Sequence, residues 1–397
     1  MKRIRLSMLL LCLAFLCVSC GGDPAAIPET VAAEQPKTVK VGYFGPLTGL
    51  NAATGAAQKQ AAELAIEQLN AAGGVLGKNY VLVSYDDRSS PEEAVKVVTK
   101  MLTDGVDIII GSNHGGNILA VGEMIERANI PCIGLSCSSA WMQQGWSYLF
   151  RAAVNATFMS ESVIRAARSL GAETVIFFHS RDDYGKSVKD EGIKLSSEYG
   201  LTLMGVESME PGTLDFTKQC KSIARANPDC VYMVAVENEL PLMVRQLREA
   251  GYQGYIIGEQ GLGTIGFRET VGKENLEKIL FAAPFAMPKQ ASGAGTAKLR
   301  AFFEEYIQAY GVMPTTDCAC RAYDAMYLFD AAIRTAGSVE GQKVRDALSG
   351  TIDFEGLQGS YTYNGNNGEG LLSAKTFGYD GGNALSWERY LTTHPSL

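Results

Sequence analysis

Apolar positions along this chain alternate between two patterns. Residues 39–44, 80–85, 106–110 and 131–135 form short apolar or β-rich runs, as expected of strands inside an α/β sheet. Between them, residues 53–72, a stretch opened by Pro91, and residues 116–128 space their apolar positions as helices do, and Pro91 suits a first helical position. The series then restarts. Strands are expected at 173–179, 201–207, 230–236 and 255–258, and helices at 184–199, 216–226 and 239–250. Such βαβ repetition builds a parallel sheet with helices on both faces. Two successive series predict an α/β chain of two Rossmann-like, doubly wound lobes rather than a closed eight-fold barrel. Helices at 297–310, 321–336 and 340–349 follow, with β-like pieces near 360–363 and 374–379, a tail suited to a chain that crosses back between lobes.

The opening residues follow neither pattern. Lys2, Arg3 and Arg5 precede an apolar run at 8–18, shorter than the ~20 residues a membrane-spanning helix needs. This is the form of a secretion signal. Cys17-Val18-Ser19-Cys20-Gly21 then resembles a bacterial lipoprotein cleavage box, which implies loss of residues 1–19 and lipidation of Cys20. Cys17 departs from the leucine usual there. Residues 20–37, rich in Pro, Ala and Gly, are expected to be a flexible, lipid-anchored tether.

The remaining ~360 residues exceed one core, so two domains are expected. With 35 Lys+Arg against 43 Asp+Glu, a net charge of −8 and no basic run beyond the signal, the chain lacks a nucleic-acid footprint. Six cysteines remain: Cys132, Cys137, Cys220, Cys230, Cys318 and Cys320. An oxidising compartment permits disulfides, and Cys220 and Cys230 sit where they could meet; the alternative is buried thiols. Cys318 and Cys320 lack a matching Cys/His pair, and His114, His179 and His394 are scattered, so neither a metal centre nor a cofactor is expected. No Ser/His/Asp set, Gly-x-Ser-x-Gly, Walker or dinucleotide fingerprint is evident, which argues against an enzyme.

Ligands in open α/β sheets sit beyond the carboxyl ends of the strands. The loops there are small and polar: residues 45–51, ending in Asn51; residues 111–117, with Gly115 and Gly116; and residues 136–141, with Ser138, Ser139 and Trp141. Free N–H groups at a helix start receive anions, and glycine lets a carboxylate come close. Each loop taken singly also fits an ordinary turn or N-cap. The second series offers Asp182-Asp183-Tyr184, Glu237 and Glu259-Gln260, in which an acidic group would receive an ammonium and Tyr184, like Trp141, would supply a wall.

Residues 41–49 (Val-Gly-Tyr-Phe-Gly-Pro-Leu-Thr-Gly), Ala62-Glu63-Leu64-Ala65, residues 69–77, Tyr85-Asp86-Asp87, Asp183-Tyr184-Gly185, Asp215-Phe216 and Tyr323-Asp324-Ala325 resemble the leucine/isoleucine/valine-binding protein family, the type I periplasmic binding proteins of branched-chain amino-acid ABC transporters. The resemblance implies two lobes, 38–156 with 285–360 and 157–284 with 361–397, joined by three crossings near 155–158, 283–286 and 359–364. They would close on a ligand, and an ABC permease would be the partner of a monomeric receptor. It also implies site residues. The serine that meets the ligand carboxylate falls on Gly115, which keeps only its N–H. Ser138-Ser139 replace Ala-Thr, so that Ser139 retains a hydroxyl. Tyr184 matches the cleft tyrosine. The ammonium's acidic partner aligns on Gln260, with Glu259 beside it and Glu237 able to compensate. The cysteine pair of some members is absent, with Ser89 and His114 in its place. The expected function is capture of an amino acid, branched-chain or aromatic; the alternatives are another small carboxylate or amide, and a sensor ectodomain.

Overall fold

The computed structural model describes residues 38–49, 51–235, 239–314 and 316–394. The lipobox, Cys20 and the tether therefore lie outside the described residues, as does Glu237. Residues 39–151 alternate strand and helix: β1 (Val39–Gly45), α1 (Ala52–Ala71), β2 (Tyr80–Asp86), α2 (Pro91–Asp104), β3 (Ile108–Gly111), α3 (Gly115–Ala128), β4 (Cys132–Gly134) and β5 (Leu149–Arg151). The strands form a parallel sheet in the order β2-β1-β3-β4-β5. β3 and β4 are buried throughout, as uninterrupted Ile and Cys runs require when helices cover both faces.

The second series comprises α4 (Ala156–Ser169), β6 (Thr174–Ser180), α5 (Asp183–Glu198), β7 (Thr202–Met209), α6 (Thr217–Ala226), β8 (Cys230–Val234), α7 (Leu240–Glu249), β9 (Tyr255–Gly258), α8 (Ile265–Val271) and β10 (Ile279–Ala283). Its five strands are parallel. The chain then returns through α9 (Ala297–Tyr310), α10 (Cys318–Ala336) and α11 (Gly341–Ser349), with α10 packed on α1, β3 and α11. A small ribbon, β11 (Phe354–Glu355) and β12 (Ser360–Tyr361), follows. β13 (Lys375–Asp380) and β14 (Asn383–Ser386) close the second sheet as an antiparallel edge in the order β14-β13-β10-β9-β8-β6-β7, and α12 (Trp387–Thr393) covers them. Two doubly wound lobes result.

Among the described residues, five helices open on side-chain caps: Ser90 accepts from Glu93 N (3.3 Å), Asn155 from Thr157 N (2.9 Å), Asp182 from Gly185 N (2.7 Å), Thr264 from Phe267 N (3.1 Å) and Thr296 from Leu299 N (3.1 Å). α10 is different. Fourteen of its 19 residues are buried, so it is a core helix rather than an amphipathic one, and it carries Arg321 and Asp324 inside.

The chain passes between lobes from Arg151 to Ala156, from Ala283 to Ala297 and from Tyr361 to Lys375. Each passage is anchored by buried residues: Ala152, Ala153 and Val154 in the first, Met287 in the second, Tyr361 and Tyr363 in the third. Tyr361 Oη donates to Ala152 O (2.9 Å) and Tyr363 Oη to Arg151 O (2.9 Å), which ties the third passage to the first.

Cys220 and Cys230 do not pair. No disulfide joins any of the six described cysteines, all of which are buried. Cys230 Sγ instead donates to Thr174 O (3.4 Å), and burial pushes its thiol pKa up to about 12.

Candidate functional site

Loops after β1, β2, β3, β4, β6, β8 and β9 meet around a cavity of about 290 Å³, at the carboxyl ends of both sheets. Asp86 and Asp87 shape its rim. Asp86 Oδ1 accepts from Leu47 N (2.9 Å) and Thr48 N (3.1 Å), and its Oδ2 from Thr48 Oγ1 (2.5 Å). These bonds hold the Asp86 carboxyl below its usual pKa against the opposing effect of its partial burial, which is the largest single influence on it. Asp87, fully buried, accepts from Ser112 Oγ (2.5 Å) and thereby links the second loop to the third.

The first lobe lines the cavity with Asn51, Thr54, Asn113, His114, Gly115 and Asn117. Asn51 Nδ2 lies 2.9 Å from His114 Nε2; the amide can only donate, so that ring nitrogen accepts. Burial lowers the His114 pKa despite Asp87 and Asp182 nearby, which suits the same neutral ring. Gly115 and Gly116 are the first residues of α3, whose opening N–H groups form an anion-binding end.

These two glycines are required for different reasons. A Cβ on Gly115 would stand 2.5 Å from Ser138 Cβ, inside the adjoining loop, whereas one on Gly116 would meet the mobile end of Asp183 from the other lobe. Gly115→Ala is therefore expected to weaken ligand binding at least tenfold and Gly116→Ala far less. Titration calorimetry of the two variants checks this; equal affinities would remove the steric argument.

The second lobe contributes Asp182, Asp183, Tyr184, Ala235, Gln260 and Gly261. Gln260 Nε2 donates across to Cys137 Sγ (3.4 Å), so the lobes touch here. Tyr184 Oη donates to Glu259 Oε2 (2.5 Å), and Ser160 Oγ donates to Glu259 Oε1 (3.4 Å). Glu259 is buried behind that tyrosine and is not part of the wall. Burial pushes its carboxyl up to about 7, while the two hydroxyl donors pull it back down.

Three expected wall residues lie elsewhere. Trp141 is fully buried, with the Arg151 guanidinium 4.8 Å from its ring centre, so it packs the hinge side rather than the cavity. Ser139 Oγ donates to Asn155 Oδ1 (2.8 Å) at the first passage. Ser138 is fully buried beneath Gly115; both serines border an adjoining depression of about 400 Å³. Asn51, Gly115, Gly116, Tyr184 and Gln260 are brought together on the wall.

Arg321 was not anticipated. It lies on the cavity wall yet is only 3 % exposed, donates from Nη1 to Leu135 O (2.9 Å) and pairs with buried Asp317 (3.2 Å). Its signal was a lone charge in the otherwise small and apolar Cys318-Ala319-Cys320-Arg321-Ala322: an arginine on a core helix is buried with a partner or faces a cavity.

Residues 38–380 match the family described as periplasmic binding protein. The leucine-, isoleucine-, valine-, threonine- and alanine-binding protein of Pseudomonas aeruginosa is 27 % identical over 78 % of this chain and 82 % of its own. Leu/Ile/Val-binding protein homolog 3 of Brucella melitensis is 26 % identical over 88 % and 94 %. Among solved structures, the branched-chain amino-acid transporter substrate-binding protein of Streptococcus pneumoniae with isoleucine superposes with a TM-score of 0.77 at 25 % identity, covering 88 % of this chain and 98 % of that one. An ABC-transporter solute-binding protein of R. palustris with benzoate shares the fold, with a TM-score of 0.78 at 19 % identity over 88 % and 95 %.

Proposed function

The chain belongs to the periplasmic binding protein family, and we propose that it is the lipid-anchored receptor of an ABC transporter that captures an amino acid between its lobes. The observation that carries this is a cavity walled by both lobes at the start of α3. The ligand carboxylate would rest on the N–H groups of Gly115 and Gly116, as an anion does at any helix N-terminus. Tyr184 would cover it from the other lobe. The amino-acid relatives named above support the class of ligand. Cys20 would hold the receptor at the membrane, and a permease would receive the closed form.

Ligand contacts made to both lobes at once stabilise closure, because only the closed form offers both sets. The lobes 38–156 with 285–360 and 157–284 with 361–397 would move as bodies about the packed passages. Small-angle scattering with and without a bound amino acid tests the mechanism. A smaller radius is expected with ligand; an unchanged radius for a chain that binds would rule out closure.

A second reading, a small non-amino-acid carboxylate, is favoured by one feature. Glu259, the acidic neighbour of the aligned Gln260, stands behind Tyr184 rather than on the wall, and the acidic groups that do line it, Asp182 and Asp183, follow β6 instead. A thermal-shift screen with amino acids and benzoate separates the two. A ligand at about 100 times its dissociation constant adds about 2.7 kcal/mol of stability.

A further inference from the structure

The receptor reading leaves open what the cavity does with the part of the ligand beyond its carboxylate. Among the described residues, the hydrocarbon and aromatic side chains on the wall are Pro91, His114, Tyr184 and Ala235, beside the thiols Cys137 and Cys318. A branched aliphatic chain placed against Gln260 and Arg321 would cover an amide and a guanidinium without satisfying them, which is the costly way to bury polar groups.

Two of those groups are unpartnered and complementary. Arg321 Nε, on the first lobe, is a buried donor with no acceptor; Gln260 Oε1, on the second, is a buried acceptor with no donor. Both residues share the wall with Cys137, to whose sulfur Gln260 Nε2 donates (3.4 Å). The guanidinium is already matched by Asp317. A second ligand carboxylate would therefore find no spare positive charge, and Asp182 and Asp183 on the same wall would oppose it. A neutral group with one acceptor and an N–H donor fits both orphans.

We propose, resting on the receptor reading, that this cavity selects an amino acid with a carboxamide side chain, its C=O accepting from Arg321 Nε and its NH₂ donating to Gln260 Oε1. Such a site discriminates strongly, because an analogue lacking the group leaves both partners buried and unpaired.

The test is titration calorimetry of the full chain with L-glutamine, L-asparagine, L-leucine, L-glutamate and benzoate. Glutamine or asparagine is expected to bind at least tenfold more tightly than leucine and glutamate. Replacing Arg321 strands buried Asp317 and endangers folding, so Gln260→Leu is the informative variant. It is expected to lower the carboxamide-to-leucine affinity ratio at least tenfold. Leucine or glutamate binding as tightly as the carboxamides, or an unchanged ratio in Gln260→Leu, overturns the proposal and leaves the receptor reading in place. Binding of benzoate with no amino acid overturns both the proposal and the amino-acid reading.

Discussion

Replacing Arg151 by methionine is expected to cost about 3–5 kcal/mol of folding stability, as breaking a buried ion pair from one side does. Arg151 is fully buried at the point where the chain leaves the first lobe. Its Nε lies 3.1 Å from Glu369 in the third passage. Nη2 donates to Ser138 O (2.7 Å), and Nη1 donates to Cys137 O. Glu369 in turn accepts from Asn155 Nδ2 (2.9 Å), and Asn155 caps α4. One guanidinium thus joins two passages to the loop that carries Cys137 and Ser138. Methionine keeps much of the volume against Trp141 but leaves Ser138 O without its donor, Cys137 O with only the Ala156 N–H (3.0 Å), and Glu369 without its cation. Urea unfolding at neutral pH measures the loss. A change below about 1 kcal/mol would mean that solvent or a neighbour replaces the guanidinium, since exposed pairs contribute about that much.

Replacing Glu259 by glutamine is expected to stabilise the protein at pH 8 relative to pH 4.5 by up to about 3 kcal/mol. The sign follows from which state holds the proton. The carboxyl, ordinarily near 4.5, is raised to about 7 by burial in the folded chain. Below about pH 4.5 both states are protonated and the group has no effect. As pH rises, the unfolded chain releases its proton first while the folded chain keeps it, so folding stability falls until about pH 7 and then levels. Keeping the proton from about pH 4.5 to about pH 7 corresponds to roughly 3 kcal/mol, at ~1.4 kcal/mol for each tenfold change in proton affinity. Glutamine removes the titration, and its amide oxygen can still accept from Tyr184 Oη. Denaturation curves of both proteins at pH 5 and pH 8 decide it: parallel pH profiles would show that Glu259 does not carry this penalty.

The alternation of elements was legible because strand and helix periods are local properties of a sequence. What escaped it was local too, but weak. α4 spaces its apolar residues among Ser, Thr and Ala, β5 has three residues, and β10 follows a 3₁₀ turn at Lys273–Asn275. The candidate site was half legible. Asn51, Gly115, Gly116, Tyr184 and Gln260 sit at strand ends, where the fold class alone puts ligands. Arg321 sits on a helix that joins the wall only because the chain returns to the first lobe after β10.

By itself, the sequence determined two α/β lobes and the small polar loops at their strand ends, since both follow from hydrophobic period and turn chemistry. Only the tertiary structure decided which neighbour in each loop faces the cavity. Gln260 does and Glu259 does not; Gly115 does, while Trp141 turns back on Arg151. The reason is that such choices depend on contacts made from far along the chain: the hydroxyl of Tyr184, the guanidinium of Arg151, the sulfur of Cys137. A loop's own residues do not encode where those partners will be.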